Sequence, residues 1–453
     1  MDAINPATGE VVATYPGHSL QEARDLVKQT AAAQPAWAAL DFADRAKYLT
    51  ATAQILRQRA DELAILIANE MGKPVAQGRA EVEKCAWVSE YYAEHAEAYL
   101  ASQPAETDAS SSYVAFRPLG VVLAVMPWNF PLFQVYRFAA PALMAGNAGV
   151  LKHASNVPGC AMAIEEIFTA AGLPDGVFRT LLIGSPLVNE ILSMPEVSAV
   201  TLTGSTPAGQ AVAESAGRML KKSVLELGGS DPYVILADAD LATAAATCAY
   251  SRLQNGGQSC IAAKRFIVVE EVRQEFESLL AAEMARVAMG DPLDETTMLG
   301  PQARVDLRDE LHSQVQASVA AGAELVVGGV VPDGPGAFYP ASLLTGVGPG
   351  MPAYDEELFG PVAAVIPARD EEDAIRIAND TNFGLGAAVF TQDIERGERI
   401  ARDQLEAGAC FVNAFVKSDP RLPFGGIKMS GFGRELSEFG IREFVNIKTV
   451  YVA

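Results

Sequence analysis

Val200-Thr201-Leu202-Thr203-Gly204-Ser205-Thr206-Pro207-Ala208-Gly209 runs from an apolar, strand-like segment straight into a helix start, with Pro207 suited to the first helical turn and Ser205 or Thr206 to the cap. The spacing of Gly204 and Gly209 is neither Gly-x-Gly-x-x-Gly nor a P-loop, so taken alone this is an ordinary strand-to-helix turn, with phosphate binding at its exposed amides a minority outcome. Its neighbours decide the fold. Short apolar runs at 121–125, 149–151, 177–183 and 224–227 repeat the pattern, each beside a helical stretch such as 157–171, and this alternation predicts a parallel α/β sheet. A second series at 233–236, 266–269, 325–327, 362–366, 387–390 and 410–412 predicts a second α/β domain.

Upstream, Ser19-Leu20-Gln21-Glu22 has capping-box spacing and opens a mainly helical region reaching about Leu100. A polar break at 103–112 and a strand-like run at 113–117 separate it from the first sheet. The tail Thr449-Val450-Tyr451-Val452 is strand-like but isolated, so it must pair with something distant or with another subunit.

At 453 residues the chain exceeds one core, and roughly two or three domains are expected. Its formal charge of −22 would repel phosphate backbones, so nucleic acid is not expected as a partner. No apolar run approaches the ~20 residues that span a bilayer, and the acidic, turn-forming Met1-Asp2-Ala3-Ile4-Asn5-Pro6 does not resemble a signal peptide. A cytoplasmic location and no membrane partner are the expectation. Five scattered cysteines without a Cys-x-x-Cys pair should be reduced thiols. The four histidines show no metal-ligand spacing, which favours a metal-independent mechanism.

Among the thiols, Cys260 stands apart because Asn255-Gly256-Gly257-Gln258-Ser259 precedes it, a polar loop that lets a substrate approach the backbone. A free Cys is more often packing than nucleophile, so the assignment depends on partners. Glu226, in Val224-Leu225-Glu226-Leu227-Gly228-Gly229, places a carboxylate in an apolar strand end: a group satisfied by amides or an Arg, or a general base raised by burial. Asn129, in Met126-Pro127-Trp128-Asn129-Phe130-Pro131, either caps a turn or donates to an oxyanion. Lys152 ends another strand, where open α/β sheets bind ligands, or is a surface lysine.

Taken together, Pro127-Trp128-Asn129-Phe130-Pro131, Gly204-Ser205-Thr206, Glu226-Leu227-Gly228-Gly229, Gly257-Gln258-Ser259-Cys260, Glu357-Leu358-Phe359-Gly360-Pro361 and Pro423-Phe424-Gly425-Gly426-Ile427-Lys428 resemble the aldehyde dehydrogenase superfamily in order and spacing across nearly the whole chain. Within it, Leu227-Gly228-Gly229-Ser230-Asp231-Pro232 and Val416-Lys417-Ser418-Asp419-Pro420-Arg421 are most similar to the loops of short bacterial succinate-semialdehyde dehydrogenases. The resemblance implies an α/β fold with a Rossmann-type cofactor domain (1–108 and 120–227), an α/β catalytic domain (228–435) and a small β bridging element (109–119 and 436–453) that completes a neighbour's sheet in a homodimer or homotetramer.

It further implies that Cys260 attacks a small-molecule aldehyde, that Asn129 and the Cys260 N–H hold the oxyanion, and that Glu226 activates water against the thioester. Trp128, Lys152, Ser155, Gly204, Ser205, Gly228, Glu357 and Phe359 would hold the cofactor. Many NAD-preferring relatives carry Glu at the position of Ser155, so NADP is expected to be tolerated or preferred over NAD. Arg137, two helical turns beyond Asn129, and Ser418 would grip a distal carboxylate, making succinate semialdehyde the expected substrate. The alternatives are another short aldehyde or semialdehyde, a CoA-acylating enzyme, against which Glu226 speaks, and a catalytically silent oligomeric cofactor-binding or structural protein. Ile261-Ala262-Ala263-Lys264 lacks the second nearby Cys of some relatives, so no local disulfide switch is expected.

Overall fold

The computed structural model describes residues 1–453. The first alternating series forms a six-stranded sheet in the order Gly431–Phe432, Lys222–Glu226, Val197–Thr203, Val121–Met126, Ala148–His153 and Phe178–Thr180. Every pairing in it is parallel except that of the short Gly431–Phe432. Strand Val121–Met126 is apolar throughout because it is covered on both faces, as central parallel strands are. The chain moves outward from it through Ala148–His153 and Phe178–Thr180, then returns to its other side at Val197–Thr203. That reversal opens a crevice at the carboxyl ends of two central strands, where ligands of such sheets bind.

The second series forms a seven-stranded sheet: Glu324–Val327, Ser342–Thr345, Val362–Ala368, Arg265–Val269, Pro232–Ile235, Gly386–Phe390 and Ala409–Val412. It too is parallel, apart from the edge strand Glu324–Val327, which runs antiparallel. A large apolar core joins the first sheet to the N-terminal helices, and two smaller clusters cover the second sheet. Cys85, Cys160 and Cys248 are buried in this packing.

Four helices, Leu20–Ala39, Phe42–Gln58, Ala60–Met71 and Val75–Tyr99, occupy the predicted helical region. The first opens on the expected capping box, with Glu22 N–H donating to Ser19 Oγ at 3.3 Å and Ser19 N–H to the Glu22 carboxylate at 2.7 Å. A hairpin of Asp2–Ile4 and Val11–Thr14 precedes them. The tail finds its partner within the chain: Val445–Val452 pairs antiparallel with Ser111–Pro118 over eight residues, and Gln103–Pro104 completes a three-stranded sheet. No helix is long and apolar enough to cross a membrane.

Candidate active site

Helix Leu241–Leu253, capped by Asp240, delivers the chain to the loop that carries Cys260. Asn255, Gly256 and Gly257 then follow one another at φ of 53°, 62° and 73°. Left-handed residues in succession are costly for side chains other than Gly or Asn. At Gly257 space adds a second restriction, since a Cβ would lie 2.2 Å from the Gly360 carbonyl oxygen. Buried hydrogen bonds lock this turn: Ala303 N–H donates to Gln258 Oε1 at 2.8 Å, and Gln302 Nε2 to the Gly256 carbonyl at 3.2 Å.

Beyond the turn, Lys264 Nζ donates to the carbonyls of Ser259 (3.0 Å) and Cys260 (2.8 Å) and lies 3.2 Å from Glu357 Oε1. Gly229 N–H donates to the same carboxylate at 3.1 Å. The main chain of Cys260 is therefore tied through one buried ammonium to Glu357, a link with no local signature in the sequence. The Cys260 N–H itself donates to no group of the protein. Asn129 is drawn to the same loop: its Nδ2 donates to the Gln258 carbonyl at 3.0 Å, while Asn255 Nδ2 donates to the Asn129 carbonyl at 2.7 Å. An amide nitrogen carries two hydrogens, so one N–H of Asn129 remains unspent.

Glu226 ends its strand beside Thr203 and Gly431, almost fully buried, with neither carboxylate oxygen hydrogen-bonded. Burial, then the neighbouring Glu435, push its carboxyl well above the ordinary range, and Arg137 pulls the other way. Of the two readings open from sequence, satisfaction by backbone amides fails. Arg137 is just as buried, forms an ion pair with Glu435, donates to Thr203 Oγ1 at 3.3 Å and lies 4.5 Å from the Phe424 ring centroid. Sequence spacing placed Arg137 beside the site but did not anticipate that Glu435 answers its charge.

Two cavities meet at Cys260. The larger, about 590 Å³, is walled by Arg137, Ser418, Lys84 and Phe424. The smaller, about 290 Å³, lies at the crevice of the first sheet and is walled by Trp128, Asn129, Gly204, Ser205, Gly228, Glu357 and Phe359. Six of the eight expected cofactor residues thus gather in one place. Trp128 and Phe359 pack edge to face at 5.7 Å. A Cβ at Gly228 would come within 2.4 Å of Glu357 Oε2, and Ser205 precedes helix Thr206–Arg218 without capping it, which leaves the first amides free for an anion. Lys152 and Ser155 lie outside that cavity, one buried at the end of Ala148–His153 and the other exposed in the following turn. Three neighbours escaped sequence reasoning: Lys264, Glu435 and Glu81, whose carboxylate accepts from Leu132 N–H (2.9 Å) and Phe133 N–H (3.0 Å) and so fixes the start of the helix carrying Arg137. Glu435 and Glu81 act on distant segments, and Lys264 ties its own loop to the distant Glu357, which nothing local marks.

A thiol shared by a nucleotide-type crevice and a second cavity, with a buried carboxylate lacking hydrogen bonds on the strand between Thr203 and Leu227 of that crevice, is the layout of a thiol-dependent oxidoreductase. Residues 1–450 match the aldehyde dehydrogenase family, and the chain belongs to it. It is 52% identical over 453 residues to a probable succinate-semialdehyde dehydrogenase (NADP(+)) of Synechocystis sp., with 99% of each covered. It is 49% identical, again over 99% of each, to succinate-semialdehyde dehydrogenase (NADP(+)) 1 of Mycobacterium tuberculosis. The crystal structure of succinic semialdehyde dehydrogenase from Streptococcus pyogenes in complex with NADP+ superposes with a TM-score of 0.97 at 39% identity, covering 100% of this chain and 99% of that one.

Proposed function

We propose that this chain oxidises succinate semialdehyde to succinate with NADP, through a covalent thioester on Cys260. The observation that carries the chemistry is Glu226: a buried carboxylate without a hydrogen bond, which shares the neighbour Arg137 with the thiol, is a base held in reserve for water. Cys260 gives up its thiol proton to water as Sγ bonds to the aldehyde carbon, and the oxygen that becomes negative is received by the free N–H groups of Asn129 and Cys260. When bound, NADP supplies the hydride acceptor. Glu226 then takes a proton from water as its oxygen attacks the thioester carbon, and the C–S bond breaks to release the acid and the thiol.

For the cofactor, the residues fit. Ser205 and the free amides behind it suit the pyrophosphate, Glu357 the nicotinamide ribose, and Trp128, Gly204, Gly228 and Phe359 the surrounding wall. Lys152 suits the adenine ribose, and neutral, exposed Ser155 offers no repulsion to a 2′-phosphate. The NADP(+) named for the similar dehydrogenases supports this preference. For the substrate, Arg137 and Ser418 line the larger cavity on the far side of the thiol from the crevice. The three-part division stated from sequence is kept, with Gln103–Pro104 added to the bridging element and Gly431–Phe432 to the cofactor sheet. The outer edge of Val445–Val452, with Ile447 and Tyr451 exposed, is offered to a second copy in a dimer or tetramer. An aldehyde panel assayed with both cofactors tests the reading. The highest kcat/KM is expected for succinate semialdehyde with NADP, and an enzyme that favours uncharged aldehydes or NAD refutes it.

A further inference from the structure

Lys264 walls neither cavity, yet it touches the machinery of both. Its main chain is clamped at the start of strand Arg265–Val269: the Lys264 N–H donates to the Asp231 carbonyl at 3.2 Å, and its own carbonyl accepts from Ala364 N–H at 3.1 Å. From that base the buried ammonium reaches the Cys260 carbonyl at 2.8 Å, the Ser259 carbonyl at 3.0 Å and Glu357 Oε1 at 3.2 Å. An ammonium carries three hydrogens, so these three acceptors occupy them all and none is left for a bound molecule. Whatever Lys264 does, it does through its neighbours. Glu357 is the one with an acceptor to spare. Its Oε1 is held twice, by Lys264 and by Gly229 N–H at 3.1 Å, whereas Oε2 accepts from no group of the protein. That oxygen lies beside Gly228, where a Cβ would come within 2.4 Å of it, and both residues wall the smaller cavity. A carboxylate anchored by one oxygen presents the other in a fixed direction. The same ammonium bears on the thiol: burial raises the Cys260 pKa, Arg137 and then Lys264 lower it, and Glu357 raises it.

We propose that Lys264 is a positioning residue shared by the two sides of the site: it fixes Glu357 so that Oε2 is offered to the ribose hydroxyls of the cofactor, and it holds the main chain of Cys260 to the same anchor. The inference rests on the cofactor reading above and names the residue that makes Glu357 directional. Without Lys264, Glu357 keeps only the Gly229 N–H, and a single bond to one oxygen leaves the carboxylate free to turn. The carbonyls of Ser259 and Cys260 lose their common donor at the same time.

The test is a double-mutant cycle on NADP binding, read by titration calorimetry without aldehyde, in the unaltered enzyme, Lys264→Met, Glu357→Gln and the two combined. Lys264→Met should weaken NADP about tenfold while Glu357 is present, the scale of one hydrogen bond to a charged group, and by less than about twofold once Glu357 is Gln and there is no carboxylate to orient. An equal loss in both backgrounds, or no loss in either, overturns the positioning role of Lys264 and leaves the cofactor reading standing. Equal affinity of the unaltered enzyme and Glu357→Gln overturns the assignment of Glu357 to the cofactor itself. The second arm needs only Glu357→Gln, and so holds even where Lys264→Met does not fold. In that variant the ammonium keeps its bonds to the Ser259 and Cys260 carbonyls but loses its carboxylate, so alkylation of Cys260 by iodoacetamide at pH 8, in the cofactor-free protein, should run about 3- to 10-fold faster than in the unaltered enzyme. An unchanged or slower rate overturns the shared anchor.

Discussion

Replacing Glu226 by Gln keeps the side chain's shape and removes its capacity to take a proton. The two carboxylate oxygens have no hydrogen bond to lose, so the amide breaks none. General-base assistance is worth about 10²- to 10⁴-fold, or roughly 3–5.5 kcal/mol of activation free energy, and the loss should fall on hydrolysis of the thioester. Rapid mixing of Glu226→Gln with aldehyde and NADP should therefore give a burst of NADPH close to one per active site, then a steady rate lowered by that factor. Stability should move in the opposite direction. Because the folded pKa of Glu226 is raised, the unfolded chain releases this proton first as pH climbs past the ordinary carboxyl value of 4.5, and the native state loses stability from there up to its own pKa. Glu226→Gln should accordingly show a higher Tm than the unaltered protein at pH 7–8, with the difference vanishing near pH 4. A steady-state rate within threefold of the unaltered enzyme, or a uniform slowing without a burst, would refute the hydrolytic role.

Burial pushes the Cys260 thiol up to about 12, against the pull of Arg137 and Lys264, so in the cofactor-free enzyme its alkylation by iodoacetamide should climb about tenfold per pH unit from 7 to 9. Peptide mass spectrometry would follow it, with Cys85, Cys160 and Cys248 unlabelled; a plateau below pH 8.5 contradicts the assigned environment. Gly257→Ala must adopt φ of 73° at a cost of about 1–2 kcal/mol and also clear the Gly360 carbonyl 2.2 Å away. A lowered Tm together with reduced kcat/KM is expected, and retention of both in thermal unfolding and turnover assays would show that the loop is not constrained as described.

Much of the fold was legible because apolar runs bounded by turn residues mark buried parallel strands whatever their neighbours are. Strand direction has no such local mark: residues 325–327 read like the rest of their series, yet Glu324–Val327 runs antiparallel at the sheet edge. Ser342–Thr345, with a polar residue at each end, and the exposed N-terminal hairpin show no apolar run in the sequence. At the site, the six expected cofactor residues that share one cavity all lie in glycine- or proline-marked loops, which are visible in sequence. Lys84 is not visible in this way. It reads as one charge on a charged helix, and what distinguishes it is a bond to a hydroxyl 334 residues away. Arg137 was noticed by its spacing, but its meaning changed when Glu435, nearly three hundred residues later, turned out to pair with it.

Cys260 and Gln134 are common to the walls of both cavities. The sulfur is thus a partition shared by two chambers. Compounds built to occupy the two chambers at once would have to bridge past the sulfur, and a group that reacts with it would seal both.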